Sequence, residues 1–68
     1  MNYAVIACSS GSYLVHAEGF TSVDKAKVNW HGYCQALWND PNPVNATVMI
    51  CDEQLDCVEG YKERISHT

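Results

Sequence analysis

Residues 21–39, TSVDKAKVNWHGYCQALWN, carry the pattern that decides the fold. At about 100° per residue, Val23, Ala26, Trp30, Tyr33, Cys34 and Leu37 fall into one apolar stripe, the mark of a helix that buries one face. Thr21 stands where an N-cap belongs, and Asp24 follows three residues later in a capping-box arrangement. Asn39-Asp40-Pro41-Asn42-Pro43 stops the helix, because two prolines cannot continue it. Almost opposite the stripe runs a second line at spacing four: Val28, Gly32 and Ala36. Small uncharged residues on one ridge let another backbone approach, so the ridge is a candidate self-association surface, with Asn29 and Gln35 as its polar neighbours.

Strands are expected on both sides of the helix. Residues 3–8 and 13–17 read as a hairpin around Ser9-Ser10-Gly11-Ser12, where Gly11 can take positive φ. Residues 45–51 and 57–61 read as a second hairpin around an acidic turn. The tail, 62–68, is polar and is read as frayed. The expectation is therefore one α+β domain over residues 1–68. Its order is ββαββ: a four-stranded, mainly antiparallel sheet with one helix on one face. Neither residues 3–8 nor 45–51 show a clean polar side, so the second sheet face needs a cover, for which a partner subunit serves.

Length and charge bound the function. A chain of 68 residues holds one domain and buries only about 60% of the surface its unfolded form exposes, which favours oligomerisation. Eight acids against four bases give a net charge of −4, and Asp52, Glu53, Asp56 and Glu59 are clustered. A basic stripe for duplex nucleic acid is absent. Residues 1–13 lack a basic leader pattern, and the run 46–51 is too short to span a bilayer, so a cytoplasmic location is expected.

Catalytic and metal-binding patterns find no support. Cys8, Cys34, Cys51 and Cys57 make no C-x-x-C pair, and His16, His31 and Cys51 lack zinc spacing. Reduced thiols packed as small hydrophobes are favoured; Cys51 and Cys57, flanking the acidic turn, are the pair to test for a disulfide. His31 and Cys34 lie on one side of the helix, but Cys34 belongs to the core stripe. The run 9–12 joins two strands and does not open a helix, so it is no phosphate cradle. Asp52, Glu53 and Asp56 lack the length and glycine of a calcium loop. Neither metal nor cofactor nor enzymatic activity is expected. The best candidate ligand edge is Trp38 with Lys27 and His31 on one side of the helix; Lys25 and Arg64 join it if the chain ends come together.

Two blocks carry a resemblance. The first is Ala26-Lys27-Val28 with His31-Gly32-Tyr33-Cys34-Gln35 and Leu37-Trp38-Asn39. The second is Ala46-Thr47-Val48-Met49-Ile50, Asp52-Glu53, Leu55-Asp56 and Val58-Glu59-Gly60-Tyr61-Lys62-Glu63. With the N-terminal hairpin they span nearly the whole chain, which resembles a group of small phage and prophage proteins of anaerobic gut bacteria. The resemblance implies a phage origin and action in the host cytoplasm, and supplies no active residues to carry over. Together with the self-association expected from the ridge and the uncovered sheet face, it suggests a homo-oligomeric inhibitor of an antiphage defence system, either a sponge for a small nucleotide signal or a protein that occludes a host defence protein. The alternative is a phage structural or regulatory accessory that binds a phage or host protein.

Overall fold

The computed structural model describes residues 2–67 and shows the expected order: β1 (Tyr3–Ser9), β2 (Ser12–Phe20), α1 (Val23–Trp38), β3 (Asn45–Asp52) and β4 (Cys57–Ser66). All four strands form one sheet in the order β2-β1-β3-β4, with every neighbouring pair antiparallel. The two hairpins thus meet through their first strands, and β2 and β3 run parallel on either side of β1. Helix α1 bridges them as a split crossover and lies on one face.

Local chemistry explains the turns. Ser10 and Gly11 both take positive φ, 52° and 79°, as a two-residue hairpin turn matched to strand twist requires. The helix begins one residue later than expected, and Ser22 rather than Thr21 is its cap. Ser22 is extended (φ −121°, ψ 133°) and its Oγ accepts from the Asp24 amide at 3.2 Å. Asp24 then lies in the first turn, where a carboxylate favours the helix dipole. At the other end the Asn39 amide donates to the Gln35 carbonyl at 3.0 Å before the prolines.

Two strands are longer than the sequence suggests. β2 continues through Glu18 and Gly19 to Phe20, with irregular pairing between Tyr3 and Ile6 of β1 and Gly19 at φ 83°. β4 does not end at Tyr61 but runs to Ser66, so the segment read as a frayed tail is a paired strand. Ile65 has no exposed surface. Ser66 Oγ donates to Asn45 Oδ1 at 3.0 Å, and the His67 amide donates to the Val44 carbonyl at 3.1 Å.

The core lies between helix and sheet. Ala26, Trp30 and Cys34 of α1 meet Val5 and Ala7 of β1, Val48 and Ile50 of β3, and Ile65 of β4. Trp30 is 7% exposed, and its Nε1–H donates to the buried Val48 carbonyl at 3.0 Å. That bond satisfies the one polar atom the indole brings into an apolar layer. Tyr33 and Leu37 pack against the same cluster from its margin.

Candidate functional site

Three surfaces were legible as candidates, and the structure treats them differently. The first lies between α1 and β4, where a groove of about 520 Å³ is lined by Trp30, His31, Trp38 and Glu63 among others. Two of the expected ligand residues, His31 and Trp38, share it. Lys27 is not among its lining residues: its Nζ is 4.8 Å from the Tyr61 ring centroid and 3.9 Å from the Asp24 carboxylate. Eleven residues of helix separate Lys27 from Trp38, about 16 Å of rise.

Residues that the sequence did not single out line this groove or touch its aromatic walls. Tyr61 receives Trp30 edge-on at 5.4 Å. Glu63 accepts the Trp38 Nε1–H at 2.8 Å, and His67 stacks on Trp38 at 5.6 Å. Tyr61 closes the strand expected at 57–61, and Glu63 and His67 lie in the segment expected to fray, so no alternation carried through them. The consequence for chemistry is electrostatic. A carboxylate on the Trp38 indole holds negative charge where a base could stack, and no base among the named residues offsets it there.

The other two expected members are elsewhere. Arg64 pairs in register with Thr47 and Glu63 with Val48, so their side chains leave opposite faces of the sheet. Since Glu63 reaches Trp38, Arg64 points away from the helix, beside Cys8 and Thr47. Lys25 is exposed on α1, and its helical angle sets it on the far side from the groove. The five candidate ligand residues therefore do not converge within one copy.

Cys34 and the histidines are also dispersed. Cys34 is 4% exposed, and its thiol is pushed from 9.0 up to about 11, first by burial and then by the Glu63 charge. It is a protonated core group at neutral pH. His16 lies parallel on Tyr33, ring centroids 3.6 Å apart, whereas His31 meets Trp30 edge-on at 4.9 Å. Among the described residues no group of three or more His, Cys, Asp or Glu side chains is placed to hold a metal ion.

The second surface is the ridge. Val28 is 74% exposed, and Gly32 and Ala36 are exposed beside it. A Cβ placed on Gly32 would meet nothing within 4 Å, so packing within the chain does not require glycine there. Gln35 is exposed, whereas Asn29 is half-buried with its Oδ1 shielded from solvent and unpartnered. Asn29 thus turns its oxygen inward and does not extend the ridge.

The third surface is the sheet face away from α1. Register and alternation place Ile6 and Cys8 of β1, Tyr13 and Val15 of β2, and Thr47 and Met49 of β3 on it. Lys62 and Arg64 of β4 border it. Tyr13 is 77% and Val15 51% exposed, and the one helix among the described residues lies on the other side. Half of the chain's four bases thus flank an apolar surface. The sheet edges differ as well. β4 carries Glu59, Lys62, Glu63 and Arg64, whereas β2 carries Glu18 alone and is uncharged from Ser12 to Val15.

No helix among the described residues is long and apolar enough to cross a membrane. Against protein-family models, characterised proteins and solved structures alike, the chain has no match.

Proposed function

We propose that this chain is a non-enzymatic binding protein that works by occluding a protein partner, as a phage-type inhibitor of a bacterial antiphage defence system acting in the host cytoplasm. The open sheet face carries the reading. An apolar surface that its own chain leaves uncovered, flanked by Lys62 and Arg64, suits a protein with apolar and acidic surface better than it suits a small anion. The nucleotide-sponge reading is weaker for one reason: Glu63 occupies the aromatic groove, and Lys25, Lys27 and Arg64 lie apart from Trp38. The phage assignment rests on the resemblance of the two sequence blocks.

Self-association belongs to the same reading, with the Val28–Gly32–Ala36 ridge holding a second copy and leaving the sheet face free for the partner. Two substitutions separate these roles. Gly32→Arg should dissociate the oligomer, because a long charged side chain cannot fit where backbones approach. It should leave partner capture intact. Met49→Asp should keep the oligomer and weaken capture by about 30-fold or more, the size of a central interface residue. Light scattering reads the first. Affinity capture from a host lysate, with mass spectrometry of both bound proteins and bound nucleotides, reads the second. A wild-type protein that is monomeric at micromolar concentration ends the ridge reading; retention of a nucleotide that Trp38→Ala abolishes replaces occlusion with sequestration. Should capture return only virion components, the accessory reading takes over.

A further inference from the structure

The acidic turn between β3 and β4 is a three-residue loop with a defined hydrogen-bond frame. The Leu55 amide donates to the Asp52 carbonyl at 3.0 Å, and the Asp52 amide donates to the Asp56 carbonyl at 3.0 Å. Leu55 takes φ 65°, the left-handed position that follows a type I turn in such loops. Asp52 Oδ1 accepts from the amides of Gln54 at 2.9 Å and Asp56 at 3.0 Å. This frame fixes which pairs come next. The Asp52 amide makes the single ladder hydrogen bond of this pair, to the Asp56 carbonyl, so Cys51 and Cys57, directly opposite one another past a register shift that separates them from Met49, occupy the non-hydrogen-bonded position that follows.

At such positions the two Cα atoms lie about 4.5 Å apart and the side chains leave the same face. That separation is within the range a disulfide spans, about 4.4–6.8 Å. Both thiols are free. They differ in access: Cys51 is 3% exposed, whereas Cys57 is open to solvent. The Cys57 thiol is directed to the Val58 carbonyl at 3.5 Å, a weak contact that a rotation about χ1 releases. The remaining cysteines do not compete. Cys8 pairs with Thr47, four residues along β3 from Cys51, about 13 Å away at 3.3 Å per residue. Cys34 is on the helix, across the sheet.

The geometry points to Cys51 and Cys57 as a site of reversible disulfide formation by exchange with small cationic or neutral disulfides. Cys57 enters first, because it is exposed, while Cys51 has its thiol raised above 9.0 by burial, then by Cys57, Asp52 and Asp56. The Cys57 thiolate attacks one sulfur of the small disulfide and expels the other half as a thiolate. Cys51 then loses its proton and attacks Cys57 Sγ, expelling the second half. One small disulfide is reduced to two thiols, which take up the two protein protons, and two protein thiols are oxidised to one cross-strand bond. The class of reagent follows from charge. Asp52 and Asp56 act electrostatically on this pair, and Glu53 and Glu59 lie within four residues of Cys57 in the chain, so a dianionic reagent is repelled and a dication drawn in.

The test treats the full chain with cystamine, alkylates the remaining thiols, cleaves after Glu53 and maps the fragments. The expected result is two thiols lost of four, with Cys51 and Cys57 joined to each other across the cut, and recovery of both on adding a dithiol reductant. Cystamine should close the pair at least several-fold faster than glutathione disulfide at low ionic strength, with the difference shrinking in salt. Cys51→Ser should stop at a mixed disulfide on Cys57; if that variant does not fold, the wild-type map still decides. Separate mixed disulfides on Cys51 and Cys57, both thiols left alkylatable, or a product joined through Cys8 would overturn the site. Equal rates with the two reagents would overturn the assigned reagent class.

Discussion

Replacing Trp30 with Ala is expected to leave much of the chain unfolded at 25 °C. A domain of this length has a total stability of roughly 3–10 kcal/mol at the usual 0.05–0.15 kcal/mol per residue. Truncating a large buried aromatic costs about 3–5 kcal/mol, from lost transfer energy and the cavity left behind. Trp30 is the largest residue in the core, and it meets His31 and Tyr61 edge-on as well as donating to Val48. Few neighbours can collapse into its place, since the sheet beneath contributes Val5, Val48 and Ile50, which are short and β-branched. Trp30→Phe is the informative companion. It keeps most of the apolar area but removes the indole donor, and should cost about 1–2 kcal/mol. Urea titrations followed by Trp38 fluorescence and by circular dichroism read both variants. A Trp30→Ala midpoint within error of wild type would show that the helix does not depend on this anchor.

The second large effect concerns the end of the chain. A protein ending at Tyr61 should fail to fold, because it loses the pairing of residues 62–66 with 45–49 and the fully buried Ile65. It also loses the Trp38–Glu63 hydrogen bond and the ties of Ser66 and His67 to Asn45 and Val44. Point substitutions grade the claim. Ile65→Val should cost about 0.5–1.5 kcal/mol and Ile65→Ala about 2–5 kcal/mol. If the truncated chain melts cooperatively near the wild-type temperature, β4 contributes little beyond Tyr61, and the tail reading returns.

Why this strand was hidden is physical. Across residues 61–66 the covered face reads Tyr61, Glu63, Ile65 and the open face Lys62, Arg64, Ser66. Glu63 interrupts the apolar side of that alternation, and it does so because Trp38, far away in sequence, supplies its partner. No local pattern can report a carboxylate whose place on the covered face depends on an indole 25 residues earlier. The helix was legible for the opposite reason: its stripe of Ala26, Trp30 and Cys34 depends on angle alone, and those residues are the ones buried. The same limit governs the candidate site. Helical angle was enough to bring Trp38 and His31 to one edge. Placing Arg64 required knowing its strand parity, and Glu63 and His67 required knowing that the strand runs on past Tyr61.

The unequal edges of the sheet have a consequence for how far assembly can go. A strand added at β2 would continue the ladder on a backbone that is uncharged from Ser12 to Val15. The opposite margin, with Glu59, Lys62, Glu63 and Arg64, resists an incoming strand. Two copies joined through β2 would therefore both present β4 outward, and there the growth stops. Strand addition alone would stop at such a pair, because each of its outer margins would be the charged β4 strand.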